Sequence, residues 1–526
     1  MTVKEEILNK DALMTQFKNG ELRTQEDVEN LVKKIMGKIL ETVLKGELDA
    51  HLGYERYDHC KKETTNRRNG SSSKKVKTNV GKIEFKVGQT RVSARVCDGV
   101  VNFRVDTNCP CDESYIDILT KMEYTPKKLN YLGVHSEMEE FKRLLTIDLP
   151  NKQSAFLWGP RKTGKSFFLK KSFPNSLVYD FLKTDLFLEI SKNPSHIRQQ
   201  LLAQKKELLL HPIILDEVQK IPQVLDEVHW MIENTDMRFI LCGSSARKLK
   251  RGHANLLGGR AWRYEMFPLT SKEIAETGEI DLLRILNRGM IPVHYLQDFY
   301  QKSLFAYIKD YLKEEIFNEG LTRNIPAFSR FFDAMGYSHG QLTNYSNIAR
   351  DCGVDAKTVK EYYQILIDTL LGTMIEPFKR KQHRQVINKA SKFYLFDVGV
   401  AGAIIKRSIA EEKGEHFGQA FEHFILMEML AHRSYTELNY DIHFWRTKTG
   451  LEVDFILGNG ETAIEVKGTD RLDPRELKPL QEFIDEFSPA NALVVCNETV
   501  KRVCRGITIM PWREFLSDLW SGKIIH

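Results

Sequence analysis

The chain has 526 residues and a mass of 61.0 kDa, too long for one hydrophobic core, and at ~150 residues per domain it points to three or four domains. Hydrophobic residues make up 42% and charged residues 28%, globular proportions that exclude wholesale disorder and a fibrous chain. Its 77 basic residues nearly cancel its 71 acidic ones, so overall charge names no polyanionic partner.

The polar start MTVKEEILNKD has no secretory core, and no run approaches the ~18 apolar residues of a membrane span, so the expectation is a cytoplasmic protein without a membrane partner. The cysteines are dispersed; Cys97, Cys109 and Cys111, with His59 and Cys60, lack a paired CxxC and read as reduced thiols rather than zinc ligands. From a Thr24 cap, Val28, Leu31, Val32, Ile35, Ile39, Val43 and Leu44 recur at helical spacing. A basic tract follows, and its Arg67, Arg68, Lys74 and Lys75 suit contact with DNA phosphates, while Ser71, Ser72 and Ser73 equally suit a solvated loop. Val80, Ile83, Phe85 and Val87 then alternate as a strand. Val92, Ala94 and Val96 face Val101, Phe103 and Val105 across Asp98-Gly99 as a hairpin. The pattern predicts a small α+β segment over residues 1–108 and a linker with a leading helix over 109–150.

The stretches ELDAHLGYERYDH and NRRNGSSSKKVKTNVGKIEFKV resemble the N-terminal region of Mutator-type insertion-sequence transposases, over about residues 20–87. The resemblance implies a DNA-binding remnant. The catalytic domain of such transposases has no room before the next motif, so the expectation is a transposase-derived segment joined to something else.

Residues SAFLW form a short apolar strand that runs into Gly159-Pro160-Arg161-Lys162-Thr163-Gly164-Lys165-Ser166, the GxxxxGK[ST] loop that cradles nucleotide phosphates. Its glycines let backbone N–H groups face anionic oxygens, Lys165 supplies a charge to the β/γ-phosphates, and Ser166 offers a hydroxyl to Mg²⁺. ATP and Mg²⁺ are the expected cofactors. Ile213, Ile214 and Leu215 read as a buried strand ending in Asp216 and Glu217, where Asp216 suits Mg²⁺ and Glu217 suits general-base activation of water. A further strand ends in Ser244 and Ser245, and Ser245 is placed to sense the γ-phosphate or position water. Arg247 or Arg260 is the candidate for stabilising transition-state charge, in cis or across an interface between copies. The order of strands and helices predicts a parallel sheet flanked by helices.

GPRKTGKS, IILDEVQKIP, ILCGSSARKL, LLGGRAWRYEMFPLT and YLKEEI together resemble a family of prokaryotic AAA-superfamily ATPases with a C-terminal domain of unknown function, over about residues 145–500. That resemblance implies an α/β multidomain chain: a P-loop core at 151–270, a helical extension at 271–335, a winged-helix-like segment at 336–385 and a restriction-endonuclease-like domain at 386–526. ATP is the implied partner, with DNA and a homo-oligomer as further candidates. In NYSNIARDCGVDAKTVKEYY, Ala349, Gly353 and Val359 fall where a helix-turn-helix needs a small residue, a turn glycine and an apolar anchor, with Thr358 and Lys360 on the second helix. Further on, a helical Glu422, a strand with Asp454 and a strand with Glu465 and Lys467 resemble the D…(D/E)xK nucleases. There three carboxylates would hold Mg²⁺ and Lys467 would orient water. Alternation of these charges with apolar neighbours also fits an ordinary amphipathic hairpin. An ATP-switched binding or scaffold protein and a transposition protein are the alternatives to a DNA-associated ATPase.

Overall fold

The computed structural model describes residues 141–245, 257–312, 324–379 and 390–525, and the backbone of four strands between 71 and 106. The Thr24 helix, the cysteine group's Cys60, Cys109 and Cys111, Arg67, Arg68 and Arg247 lie outside the described residues.

The chain divides into two units, Met1–Met138 and Glu139–His526. In the first, β1 (Ser71–Thr78) and β2 (Gly81–Gly88) pair antiparallel, as do β3 (Arg91–Cys97) and β4 (Val100–Asp106). The second ladder ends at the Cys97–Val100 pair, and Asp98-Gly99, where the sequence predicts the turn, lies outside the described residues. Lys74 and Lys75, placed by the sequence in a loop or on phosphates, fall in β1 opposite Phe85 and Glu84.

The second unit begins with a five-stranded parallel sheet in the order β6-β7-β8-β5-β9. Its strands are β5 (Ser154–Trp158), β6 (Val178–Asp180), β7 (Ile213–Asp216), β8 (Phe239–Gly243) and β9 (Ala261–Glu265). β5, β7 and β8 are buried along their whole length, which explains continuous apolar runs in place of alternation. Helices α1 (Lys165–Ser172) and α2 (Val224–Asn234) follow β5 and β7. All the strands run the same way, so their carboxyl ends share one edge, and the loops after β5, β7 and β8 meet there.

A helical region follows, with α3 (Ile325–Tyr337), α4 (Tyr345–Cys352) and α5 (Ala356–Asp368). Gly353 caps α4 with φ +67°, a left-handed conformation that favours glycine, and Ala349 and Val359 are buried beside it, as the helix-turn-helix pattern requires. The mixed C-terminal sheet has eight strands in the order β11-β10-β12-β13-β14-β15-β17-β16. They are β10 (Gly372–Pro377), β11 (Lys392–Leu395), β12 (Ile442–Arg446), β13 (Glu452–Leu457), β14 (Thr462–Lys467), β15 (Asn491–Cys496), β16 (Arg502–Cys504) and β17 (Ile507–Pro511). The long helix α6 (Glu415–Tyr435) packs on it through Phe417, Phe421, Phe424 and Met429, with α7 (Trp512–Trp520) alongside. β10, inside the winged-helix-like segment expected at 336–385, pairs with β11, beyond that boundary, and with β12. The 336–385 segment is thus continuous with the C-terminal sheet through β10. No described helix is long and apolar enough to cross a membrane.

Candidate nucleotide site and C-terminal carboxylate group

The loop after β5 is closed by its own side chains. Lys165 is buried, and its ammonium donates to the carbonyls of Gly159 at 2.7 Å and Pro160 at 2.9 Å. Thr163 Oγ1 donates to Pro160 O at 2.8 Å. Gly164 has φ +96° and Lys162 φ +63°, the backbone reversal that a phosphate cradle needs. Gly159 allows close packing, because a Cβ there would stand 2.4 Å from Met266 O.

Asp216 and Glu217 arrive from β7. Ser166 Oγ donates to Asp216 Oδ2 at 2.6 Å, so the hydroxyl and carboxylate expected on Mg²⁺ already meet. These two oxygens, of the hard type that Mg²⁺ takes, fit that ion. Glu217 is buried and holds φ +57°, an uncommon left-handed conformation for a residue with a Cβ, of the strained kind that clusters at functional sites. Its Oε2 accepts from Gln219 Nε2 at 2.7 Å and lies 3.7 Å from the Arg161 guanidinium. Gln219 also donates to Ser244 Oγ at 3.0 Å, tying the acidic loop to the end of β8. Ser245 is buried next to it. Against α1 lies a cavity of about 360 Å³ lined by Phe141, Lys142, Arg143, Phe167, Phe168 and Lys171.

Arg260 is not brought to this site. It directly precedes β9, and since Ala261 pairs with Ser154 in parallel register, Arg260 sits at the amino end of the sheet. The five residues of β5 separate it from the loop, about 17 Å of strand. There its guanidinium pairs with Glu233 at the end of α2. A role on the phosphates in cis is excluded by that geometry.

Sequence reasoning missed Gln219, two residues beyond the acidic pair, and Arg143, which no motif marks. Arg143, its side chain 8% exposed, donates from Nη1 to Thr163 O at 2.6 Å, from Nη2 to Phe267 O at 2.7 Å and to Tyr435 Oη at 3.1 Å, and from Nε to Glu273 Oε1 at 2.9 Å.

In the C-terminal domain Asp454 and Glu465 stand opposite each other, one step beyond the Phe455–Ile464 pair of the β13–β14 ladder. Side chains replace ladder bonds there: Asp454 Oδ2 accepts from Val466 N at 2.8 Å and Glu465 Oε2 from Asp454 N at 3.4 Å. Lys467 Nζ lies 2.6 Å from Glu465 Oε1. Burial and the neighbouring Asp454 push the Glu465 carboxyl up to about 8, and burial raises Asp454. Burial and Asp454 likewise hold Glu422 at about 7.

The three-carboxylate metal set expected of Glu422, Asp454 and Glu465 requires correction. Among the described residues no group of three His, Cys, Asp or Glu side chains is arranged to hold a metal ion. The physical reason is Lys392, a residue the sequence analysis passed over. Its ammonium is buried, 2.5 Å from Glu452 Oε1 and 3.6 Å from Glu422 Oε1, and Tyr394 donates to the same Glu422 oxygen at 2.5 Å. Burial alone would lower the lysine, but Glu422, Asp454 and Glu452 raise it, so it stays charged. One ammonium pairs with Glu422 and Glu452 and a second with Glu465, and these residues as arranged do not fit a divalent ion.

Residues 8–94 match the family described as transposase, Mutator family, and 151–275 the AAA domain. Residues 280–411 and 417–515 match two domains of unknown function, DUF8612 and DUF4143. An uncharacterized protein of Mycobacterium bovis and one of Mycobacterium tuberculosis are each 25% identical over 267 residues, 49% of this chain and 58% of the relative. Among solved structures, the Aeropyrum pernix ORC1 protein in complex with DNA aligns with a TM-score of 0.24 and 12% identity, over 48% of this chain and 86% of that one. The chain therefore joins segments that match, in order, Mutator-family transposases, the AAA domain and two domains of unknown function.

Proposed function

We propose that the chain binds and hydrolyses ATP with Mg²⁺, and that its C-terminal domain is a binding module switched by the nucleotide. The observation that carries this reading is the convergence of Lys165, Ser166, Asp216 and Glu217 at one sheet edge, with Ser166 bonded to Asp216. Lys165, now bonded to Gly159 and Pro160, exchanges those carbonyls for the β/γ-phosphate oxygens. Ser166 and Asp216 would hold Mg²⁺, which supplies charge to the phosphates. Glu217 accepts a proton from the water whose oxygen attacks the γ-phosphorus as the bond to ADP breaks. Gln219 orients Glu217, and its bond to Ser244 connects that carboxylate to the end of β8. The cavity beside Phe167 suits the base and ribose. Lys165→Ala should abolish ATP binding in a titration with the full chain; unchanged affinity overturns the reading.

Metal-assisted DNA cleavage by Asp454, Glu465 and Lys467 finds less support, because Lys392 occupies Glu422 and Glu452 and Lys467 occupies Glu465. DNA remains the proposed partner of the helix-turn-helix around Gly353 and of the basic tract, and salt-dependent binding of duplex DNA tests it.

A further inference from the structure

We infer that Arg143 is a positioning residue of the phosphate loop, and that Tyr435 of the C-terminal domain holds it there, so that nucleotide binding and the C-terminal domain are energetically coupled. The inference rests on the ATP-binding reading and adds the route by which that site is regulated.

Every peptide described is trans, and in a trans peptide the C=O and the next N–H point in opposite directions. Arg143 Nη1 pulls Thr163 O at 2.6 Å. The N–H of Gly164 in the same plane is thereby turned away from Arg143, to the side where phosphate oxygens bind. A Cβ added to Gly164 would lie 3.7 Å from the same Nη1, which places the guanidinium directly under the turn.

Arg143 has little freedom of its own. Glu273 Oε1 accepts from its Nε at 2.9 Å and from Leu144 N at 2.7 Å, while Glu273 Oε2 accepts from Thr270 N at 2.9 Å. A further contact crosses to the C-terminal domain. Tyr435, the last residue of α6, receives Arg143 Nη2 at 3.1 Å and Phe267 N at 3.1 Å. One turn or two earlier on α6, Glu428 accepts from Ser271 N and Ser271 Oγ, both at 2.7 Å, and from Trp520 Nε1 of α7 at 2.8 Å. Residues 267–271, which follow β9 of the ATPase sheet, are thus clamped to α6 at two points, and Arg143 connects the clamp to the phosphate loop. A guanidinium presents its donors in a fixed fork, so displacing Thr163 O on nucleotide binding must shift the Tyr435 and Phe267 bonds too. By linkage, whatever displaces α6 changes ATP affinity by the same factor that ATP changes the displacement.

The test uses the full chain. Tyr435→Phe removes only the hydroxyl, and Arg143→Lys keeps the charge without the fork; each should weaken ATP binding by about tenfold, the scale of a charge-assisted hydrogen bond. In the wild type, ATP should change amide hydrogen exchange in residues 428–435 and 512–520, and Tyr435→Phe should lose that response while keeping the basal exchange of β13 and β14. A purely structural tyrosine would lower thermal stability and leave both readouts unmoved. Lys165→Ala separates the two failures. If it binds ATP normally, the ATP reading falls and the coupling with it. If it loses ATP while Tyr435→Phe and Arg143→Lys bind as wild type, only the coupling is overturned. Should both variants fold poorly, absence of any ATP-dependent exchange change in α6 and α7 of the wild type overturns it as well.

Discussion

Replacing Lys392 by Met tests the assignment of a built-in cation most directly. The side chain is removed from a site only 4% exposed, leaving Glu422 and Glu452 without the ammonium that stands 3.6 and 2.5 Å from their oxygens. Breaking a buried ion pair by deleting one partner costs about 3–5 kcal/mol. At about 1.4 kcal/mol per tenfold, this corresponds to a 10²- to 10³-fold rise in local opening. The cost depends on pH through Glu422, whose carboxyl burial and Asp454 already hold at about 7, above the ordinary 4.5. A carboxyl with a raised folded pKa binds more protons in the folded state, so its contribution to stability is full below 4.5 and is lost as pH rises through about 7. Without Lys392 that loss deepens. The variant should be far more destabilised at pH 8, where Glu422 is ionised, than at pH 6, where it is protonated. Amide exchange of β13 and β14, divided by intrinsic rates at each pH, reads the local opening without requiring the whole multidomain chain to unfold as one. Equal loss of protection at the two pH values removes Glu422 from the pairing, and a loss under about threefold at pH 8 refutes Lys392 as the charge that balances this group.

Glu217→Gln should retain ATP binding and slow steady-state hydrolysis by ~10²-fold or more, the scale of losing a general base; hydrolysis at the wild-type rate reduces Glu217 to a structural residue. Single- and double-stranded DNA incubated with the full chain and Mn²⁺ should stay intact on a gel, because lysines occupy the C-terminal carboxylates, and cleavage that disappears in Asp454→Asn would overturn this. Neutralising Arg67, Arg68, Lys74 and Lys75 should weaken DNA binding and flatten its salt dependence, since each phosphate contact releases counterions. An unaltered slope of affinity against salt would remove the tract from the DNA interface.

The nucleotide core was legible in the sequence because its chemistry is local. A phosphate loop needs glycines and a lysine at fixed spacing directly after a strand, and the acidic strand carries its carboxylates at its own end; both features survive in a string of letters. Gly353 was legible for the same reason, since a left-handed cap is a backbone demand met by one residue. Arg260 shows where this stops. The sequence marks the strand that follows it, but which edge of the sheet it reaches depends on parallel pairing with β5, a long-range choice made by burial of both faces. Lys392 and Arg143 lie further still from local signals. Lys392 reads as one more lysine in a basic run until β11 enters the C-terminal sheet and sets it among carboxylates from α6 and β13. Arg143 meets Tyr435 from 292 positions away. Only the packed tertiary structure brings such partners together, because burying a charge obliges it to find compensation wherever the fold supplies it.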